Sequence, residues 1–185
     1  MTAVGDIPET LLTRTVVGVN LSPGRLADQL GSGMTLLVFL RHFGCMFCRE
    51  TLADMRAISE RDKRFPAPLF FYQGSPMEGK AFLRRYWPDL RAVADPSADF
   101  YRGFGLKRGG PLKTLGPAVW AAKSRANAKG HRNGRISGDI WRMPGVFLAR
   151  ARQVVWAHEY RHVADHPDYQ QICEIASSEK SAGVA

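Results

Sequence analysis

Apolar positions along this chain come as short, nearly continuous runs that alternate with stretches in which they recur every three or four residues. The strongest run, residues 35–41, holds Leu36, Leu37, Val38, Phe39 and Leu40 in a row. A strand so uniformly apolar suits a sheet covered on both faces, so it is expected at the centre of an α/β fold. Directly after it, Leu52, Met55 and Ile58 are spaced by three with charged residues between them, and Phe65-Pro66 ends the pattern, which predicts a helix over 45–64. Upstream, the β-branched run 14–20 predicts a first strand that stops at the turn Ser22-Pro23-Gly24. Downstream the alternation repeats: strand 68–73, helix 77–87 stopped by Pro88, strand 92–94, and a short helix 97–104 ending near Gly105. Two apolar runs, 145–149 and 154–160, have hairpin spacing, and a last helix, 168–178, begins with Asp168 where the helix dipole favours an acid. Residues 177–185 read as a frayed tail. Strands alternating with helices imply an α/β layer fold, and with no internal repeat the expectation is one domain over residues 1–185.

Composition sharpens this picture at one place. The chain has 185 residues, 45% hydrophobic and 23% charged, which suits one globular domain, but its formal net charge is +9. Residues 106–142 carry nine of the 26 basic residues and one of the 17 acidic ones, leaving 17 and 16 elsewhere, so the excess is local. This segment has glycines at 109, 110, 116, 130, 134 and 138 around one predicted helix, 117–129, and reads as a basic insertion over the core. No nucleic-acid motif accompanies the charge, so it reads as a solvated loop or a cover on a site rather than a nucleic-acid interface. The longest strongly apolar stretch, 34–40, is far too short to cross a bilayer, and residues 1–9 carry two acids and no secretory leader pattern, so a cytoplasmic protein is expected. Three cysteines, Cys45, Cys48 and Cys173, cannot form a disulfide framework.

The chemistry is concentrated in Arg41-His42-Phe43-Gly44-Cys45-Met46-Phe47-Cys48-Arg49, a C-x-x-C where a buried strand gives way to a helix. Unpaired N–H groups and the helix dipole favour an anion there, and Arg41, His42 and Arg49 bring positive charge, so Cys45 is the candidate nucleophile. Cys48, one turn later, is placed to resolve an oxidised Cys45 by forming an intramolecular disulfide. His42 either tunes the thiol or is structural, and Pro144, in Met143-Pro144-Gly145, can lie beside the pair from the late strand. Cys173 reads as core with Ile172 and Ile175. Two other readings stay open on the residues alone: a zinc site of Cys45, Cys48, His158 and His162, and a redox-regulated binder of an acidic partner through the basic insertion.

The C-x-x-C block, together with Asp95-Pro96, Tyr101 to Gly109, Gly138-Asp139, Pro144-Gly145-Val146-Phe147 and Ala164-Asp165-His166-Pro167-Asp168, resembles the peroxiredoxin-like branch of the AhpC/TSA family in the thioredoxin-fold superfamily, the branch of selenoprotein L and prostamide/prostaglandin F synthase. The resemblance extends over residues 16–175. It implies a thioredoxin-like three-layer sandwich with a mixed central sheet, Cys45 as the attacking thiol, Cys48 as its partner, and Pro144 as the often cis proline that faces the thiols. It also implies reduction of a peroxide or disulfide with electrons from an external dithiol such as thioredoxin or glutathione, and no bound cofactor or metal. The chain departs from the family in having His42 where peroxiredoxins carry Thr or Ser, Val38 where they carry Pro, and Gly44 where thioredoxins carry Trp.

Overall fold

Alternating strand and helix patterns become alternating elements. The structure, a computed structural model, describes residues 4–182, the last four as backbone. In chain order these are β1 (Gly5–Asp6), α1 (Glu9–Leu12), β2 (Thr15–Val16), β3 (Gly18–Val19), β4 (Gly24–Arg25), α2 (Leu26–Leu30), β5 (Met34–Phe39) and α3 (Met46–Arg61). They continue as β6 (Ala67–Tyr72), α4 (Pro76–Tyr86), β7 (Arg91–Ala94), α5 (Asp99–Gly103), α6 (Pro111–Leu115), α7 (Pro117–Ala128), β8 (Gly145–Arg150), β9 (Gln153–Ala157) and α8 (Tyr169–Ala182).

The apolar run that is buried at every position, β5, is the fourth of seven strands in the order β1-β9-β8-β5-β6-β7-β3. It pairs parallel with β6 and antiparallel with β8, with Val38 opposite Phe70 on one side and Val146 on the other, so the sheet is mixed. Its pleat divides the core in two. Leu36, Val38 and Leu40 join Leu52, Met55 and Ile58 of α3, Leu83 of α4, Val119 of α7 and Ile172 of α8 on one face. Leu37 and Phe39 join Leu11, Leu26, Phe71, Tyr101 and Phe147 on the other. Helices thus cover both faces, as a strand apolar at consecutive positions requires.

Two motifs fix the sheet's end beneath the C-x-x-C loop. The Asp95 carboxylate accepts from the backbone N–H of Asp99 and Phe100 at 2.9 and 2.8 Å, which starts α5. The buried Tyr101 hydroxyl then donates to Leu40 O and, at 3.0 Å, to Phe71 O, which ties α5 to the ends of β5 and β6.

Three sequence expectations change. Residues 14–20 form two short strands, not one: β2 pairs with β4, and β3 pairs with β7 as the edge of the main sheet. The chain turns away at exposed Val17, and Gly18 lies so close to Ala92 that a Cβ there would collide with its carbonyl. Elements of two to five residues at the N-terminus (β1, α1, α2) leave too short a period to read from pattern. The chain is helical through Ala182 instead of fraying from residue 177, and residues 183–185 lie outside the described residues.

The basic insertion holds two helices, α6 and α7, and then a strap, residues 130–142, that returns across the C-terminal ends of β5 and β6. Four of its nine basic residues are drawn into ion pairs inside the molecule. Arg125 and Lys129 pair with Glu50 of α3, and Arg108 and Arg142 pair with Asp139. No helix among the described residues is long and apolar enough to cross a membrane.

Candidate active site

Beyond Phe39 the chain leaves the sheet, turns through Arg41 to Gly44 and enters α3 at Cys45, the residue before its first turn. A strand end followed at once by a helix start brings a thiol to a cluster of free N–H groups, because the first four amides of a helix have no partner within it. Cys45 and Cys48 are both buried and unlinked. The two sulfurs share one residue: Arg41 donates from its guanidinium to Cys45 Sγ at 3.4 Å and from its main-chain N–H to Cys48 Sγ at 3.3 Å.

These contacts separate the two thiols chemically. A hydrogen bond from Cys48 draws the Cys45 thiol down to about 6 against the opposing effect of burial, with further help from Arg41 and the N–H groups of Phe47 and Cys48. Burial pushes Cys48 the other way, well above the ordinary thiol range, and the neighbouring Cys45 adds to that rise. The pair therefore holds one anionic and one protonated sulfur at neutral pH.

The positive setting is narrower than the sequence implies. His42 is buried with Nδ1 unpartnered, and burial together with Arg41 and Arg49 lowers its pKa to about 4, so it adds no charge at neutral pH. Arg49 turns away from the thiols and donates to Phe43 O at 3.3 Å and Arg132 O at 2.9 Å. Only Arg41 delivers its charge to Cys45. Pro144 is buried and shares a small cavity with Cys48, Phe47, Thr51 and Tyr160, so the late strand does bring it to the thiols. The described residues have no cis peptide bond, so Pro144 faces them through a trans one.

What the sequence does not reveal is how firmly the strap is fastened to this loop. Asn133 Oδ1 accepts from Met46 N at 3.3 Å, the Ser137 hydroxyl from Phe43 N at 3.2 Å, and Gly44 O from Gly134 N at 2.9 Å. The strap carbonyls Arg142 O, at 3.2 Å, and Ile140 O hold the Arg41 guanidinium. Gly44 is required by this contact, since a Cβ would collide with the carbonyl oxygens of Arg135 and Gly134. The insertion therefore fastens onto the loop that carries Cys45 and supplies, through Asn133, a side-chain cap that α3 otherwise lacks.

The Cys₂His₂ site is not assembled. His158 faces Asp165 at 3.8 Å, and His162 Nδ1 accepts from Ala164 N at 3.3 Å. Among the described residues the ligand-type side chains that converge are Glu50, Asp54 and His166, but Arg125 and Lys129 already occupy the carboxylates. Burial lowers the pKa of His166 to about 4, more than Glu50 raises it. An imidazole with a depressed native pKa leaves stability untouched above about pH 6.5; below that the unfolded chain takes up a proton that the native state refuses. The unfolding free energy read from urea titrations is expected to fall as pH drops from 6.5 toward 4, by about 1 kcal/mol per buried histidine at pH 5.5, and His166→Gln should flatten part of that slope. An unchanged slope in that variant would refute the assignment.

A seven-stranded mixed sheet with helices on both faces, and a C-x-x-C at the start of the helix after the central strand, define a peroxiredoxin/thioredoxin fold. The profile of the AhpC/TSA antioxidant enzymes matches residues 51–162, well over half of the chain, and the protein belongs to that family. The matched segment begins just past Cys48. Prostamide/prostaglandin F synthases of Xenopus laevis and Xenopus tropicalis are 30% and 29% identical over 118 residues, 62% of this chain and 58% of theirs, so the chain spans little more than half the length of these relatives. Among solved structures, peroxiredoxin Q of Xanthomonas campestris is 17% identical with a TM-score of 0.65, covering 96% of this chain and 98% of its own. A reduced peroxiredoxin from Vibrio vulnificus in complex with hydrogen peroxide is 12% identical with a TM-score of 0.63, covering 95% and 99%.

Proposed function

We propose that the protein reduces peroxides through a Cys45/Cys48 couple, drawing electrons from an external dithiol such as thioredoxin or glutathione, in the cytoplasm. The observation that carries this reading is the shared grip of Arg41 on the two sulfurs, guanidinium on one and N–H on the other. The Cys45 thiolate attacks the peroxide; the S–O bond forms as the O–O bond breaks, the alkoxide leaves and takes a proton from water, and Cys45 becomes a sulfenic acid. Cys48 then attacks that sulfur, losing its proton as hydroxide departs, so that water and an intramolecular disulfide result. Two electrons from the dithiol restore the thiols. His42 offers no hydroxyl to bind the peroxide, so Arg41 must orient it as well as hold the thiolate.

Both sulfurs are buried, and the strap is bonded to Phe43 and Met46 on either side of Cys45, which favours a small or slender oxidant over a folded protein disulfide. With its pKa near 6, Cys45 is about 90% thiolate at pH 7, some thirtyfold more than an ordinary thiol. Thiolate absorbance of the reduced protein should therefore show its first midpoint near pH 6, and one equivalent of hydrogen peroxide should remove two hydrogens and link Cys45 to Cys48 in a peptide map. A first midpoint near the ordinary thiol value, or no Cys45–Cys48 link, overturns the reading.

A further inference from the structure

Where β6 ends, Gln73 is buried, and both ends of its amide are used. Its Nε2 donates to Arg41 O at 2.6 Å, and its Oε1 accepts from Asp139 N of the strap at 3.2 Å. The strap lies directly against it: Gly138 has a φ of +75°, and a Cβ there would come within 3.0 Å of Gln73 Cβ. Gln73 therefore fixes the main chain of Arg41 from one side and, one to three residues further along the strap, the carbonyls of Ile140 and Arg142 that hold the Arg41 guanidinium from the other.

We propose that Gln73 is the positioning residue of the thiol couple: one amide sets the Arg41 N–H on Cys48 and, through the strap, the Arg41 guanidinium on Cys45. The inference rests on the Cys45/Cys48 reading above and names what aligns it. Gln73 touches neither sulfur by any recorded bond and acts only through Arg41. Both arms of the amide are needed, because a side chain that only donates frees the strap and one that only accepts frees the Arg41 main chain. Such a group costs little to place at the ends of two parallel strands, where β5 and β6 have just left their ladder and their last polar groups need partners.

The charged and titratable groups facing the couple are few. Arg41 and His42 come from the loop after β5, with Tyr101 of α5, Tyr160 beyond β9 and His166 on the Cys48 side, while Arg49 of α3 lies near His42 but turns away from the sulfurs. Gln73 carries no charge, so its removal alters the thiols by geometry rather than by adding or deleting a field of its own.

The experiment compares Gln73→Ala, Gln73→Met and Gln73→Glu with the wild type in the reduced state, reading thiolate absorbance against pH and the rate of reaction with hydrogen peroxide. Gln73→Met keeps the volume and loses both hydrogen bonds; Gln73→Glu keeps the acceptor and, when ionised, loses the donor. The Cys45 midpoint is expected to rise by about one unit or more in Gln73→Met and Gln73→Ala, cutting the peroxide rate at pH 6.5 by about threefold or more while leaving it within about twofold at pH 9.5, where the thiolate forms regardless. Gln73→Glu, which when ionised also adds a buried negative charge near Arg41, should raise the midpoint at least as far as Gln73→Met. A merely structural role would lower the rate equally at every pH and leave the midpoint in place, and that result in Gln73→Met overturns the proposal. Should Gln73→Ala fail to fold, the two variants of near-native volume carry the same comparison. The titration needs no turnover, so a shifted midpoint without peroxidase activity would condemn the proposed function and spare this inference, whereas activity with an unshifted midpoint does the reverse.

Discussion

Cys45→Ser is expected to abolish dithiol-dependent peroxide reduction, lowering turnover by about a thousandfold or more, because a serine hydroxyl offers no anion at neutral pH and no polarisable sulfur to the O–O bond. Cys48→Ser should behave differently. Its Cys45 still reacts once with peroxide, but the sulfenic acid persists, trappable by dimedone, and turnover with thioredoxin collapses because no intramolecular disulfide closes. The Cys45 midpoint should rise in Cys48→Ala, which removes the donor that Cys48→Ser keeps, since the hydrogen bond from Cys48 is the largest cause of its low value. A coupled assay of peroxide consumption with a thioredoxin system reads the first effect. Full turnover in Cys45→Ser would transfer the chemistry to another residue and end the present assignment.

The largest loss of stability is expected from Arg125→Met. Glu50 is wholly buried on α3, and Arg125 of α7 donates to both its oxygens, Nε at 2.9 Å and a terminal nitrogen at 3.0 Å. Removing one partner of a buried pair leaves an uncompensated charge, which costs about 3–5 kcal/mol in full burial; the half-exposed Arg125 and the remaining Lys129 bring the expectation to about 2–4 kcal/mol. Glu50→Gln combined with Arg125→Met should recover a large part of that loss, as no charge is then stranded. Urea unfolding of the two single variants and the double one supplies the cycle. If the double variant is as unstable as the sum of the singles, the pair is not coupled and the clamp between insertion and α3 is wrongly described. Because α7 leads into the strap, Arg125→Met should also speed tryptic cleavage after Arg132 and Arg135.

Much of this was legible along the chain wherever an element repeats its pattern several times. Leu36 to Leu40 declare a doubly covered strand, and Leu52, Met55 and Ile58 declare the face of α3, because burial demands apolar residues at a fixed period. Cys45 and Cys48 at the junction are legible for the same reason. The two-residue strands β1 to β4 are not, since they hold no full period; Gly18 and Asn20, the latter at a φ of 52°, were the only marks of the break in 14–20. Pro144 was legible as a neighbour of the thiols from its place at the start of the late strand and from the resemblance, the charge of His42 was misjudged, and Gln73 gave no signal, because an amide acquires meaning only from what lies at its two ends.

The sequence by itself determined the alternation of strand and helix, the central strand, the thiol pair at a helix start and the confinement of excess charge to residues 106–142. The tertiary structure alone decided what that charge is for. Its arginines and lysines clamp α7 to α3 and close on Asp139, and the strap they hold caps α3 and cages Arg41, which grips both sulfurs. The physical reason is separation along the chain: helix and strand periodicity are local properties of a few neighbouring residues, whereas Arg41 meets Arg142 across about a hundred residues and Met46 meets Asn133 across almost ninety. Contacts of that reach follow from the packing of finished elements, and no spacing in the sequence encodes them.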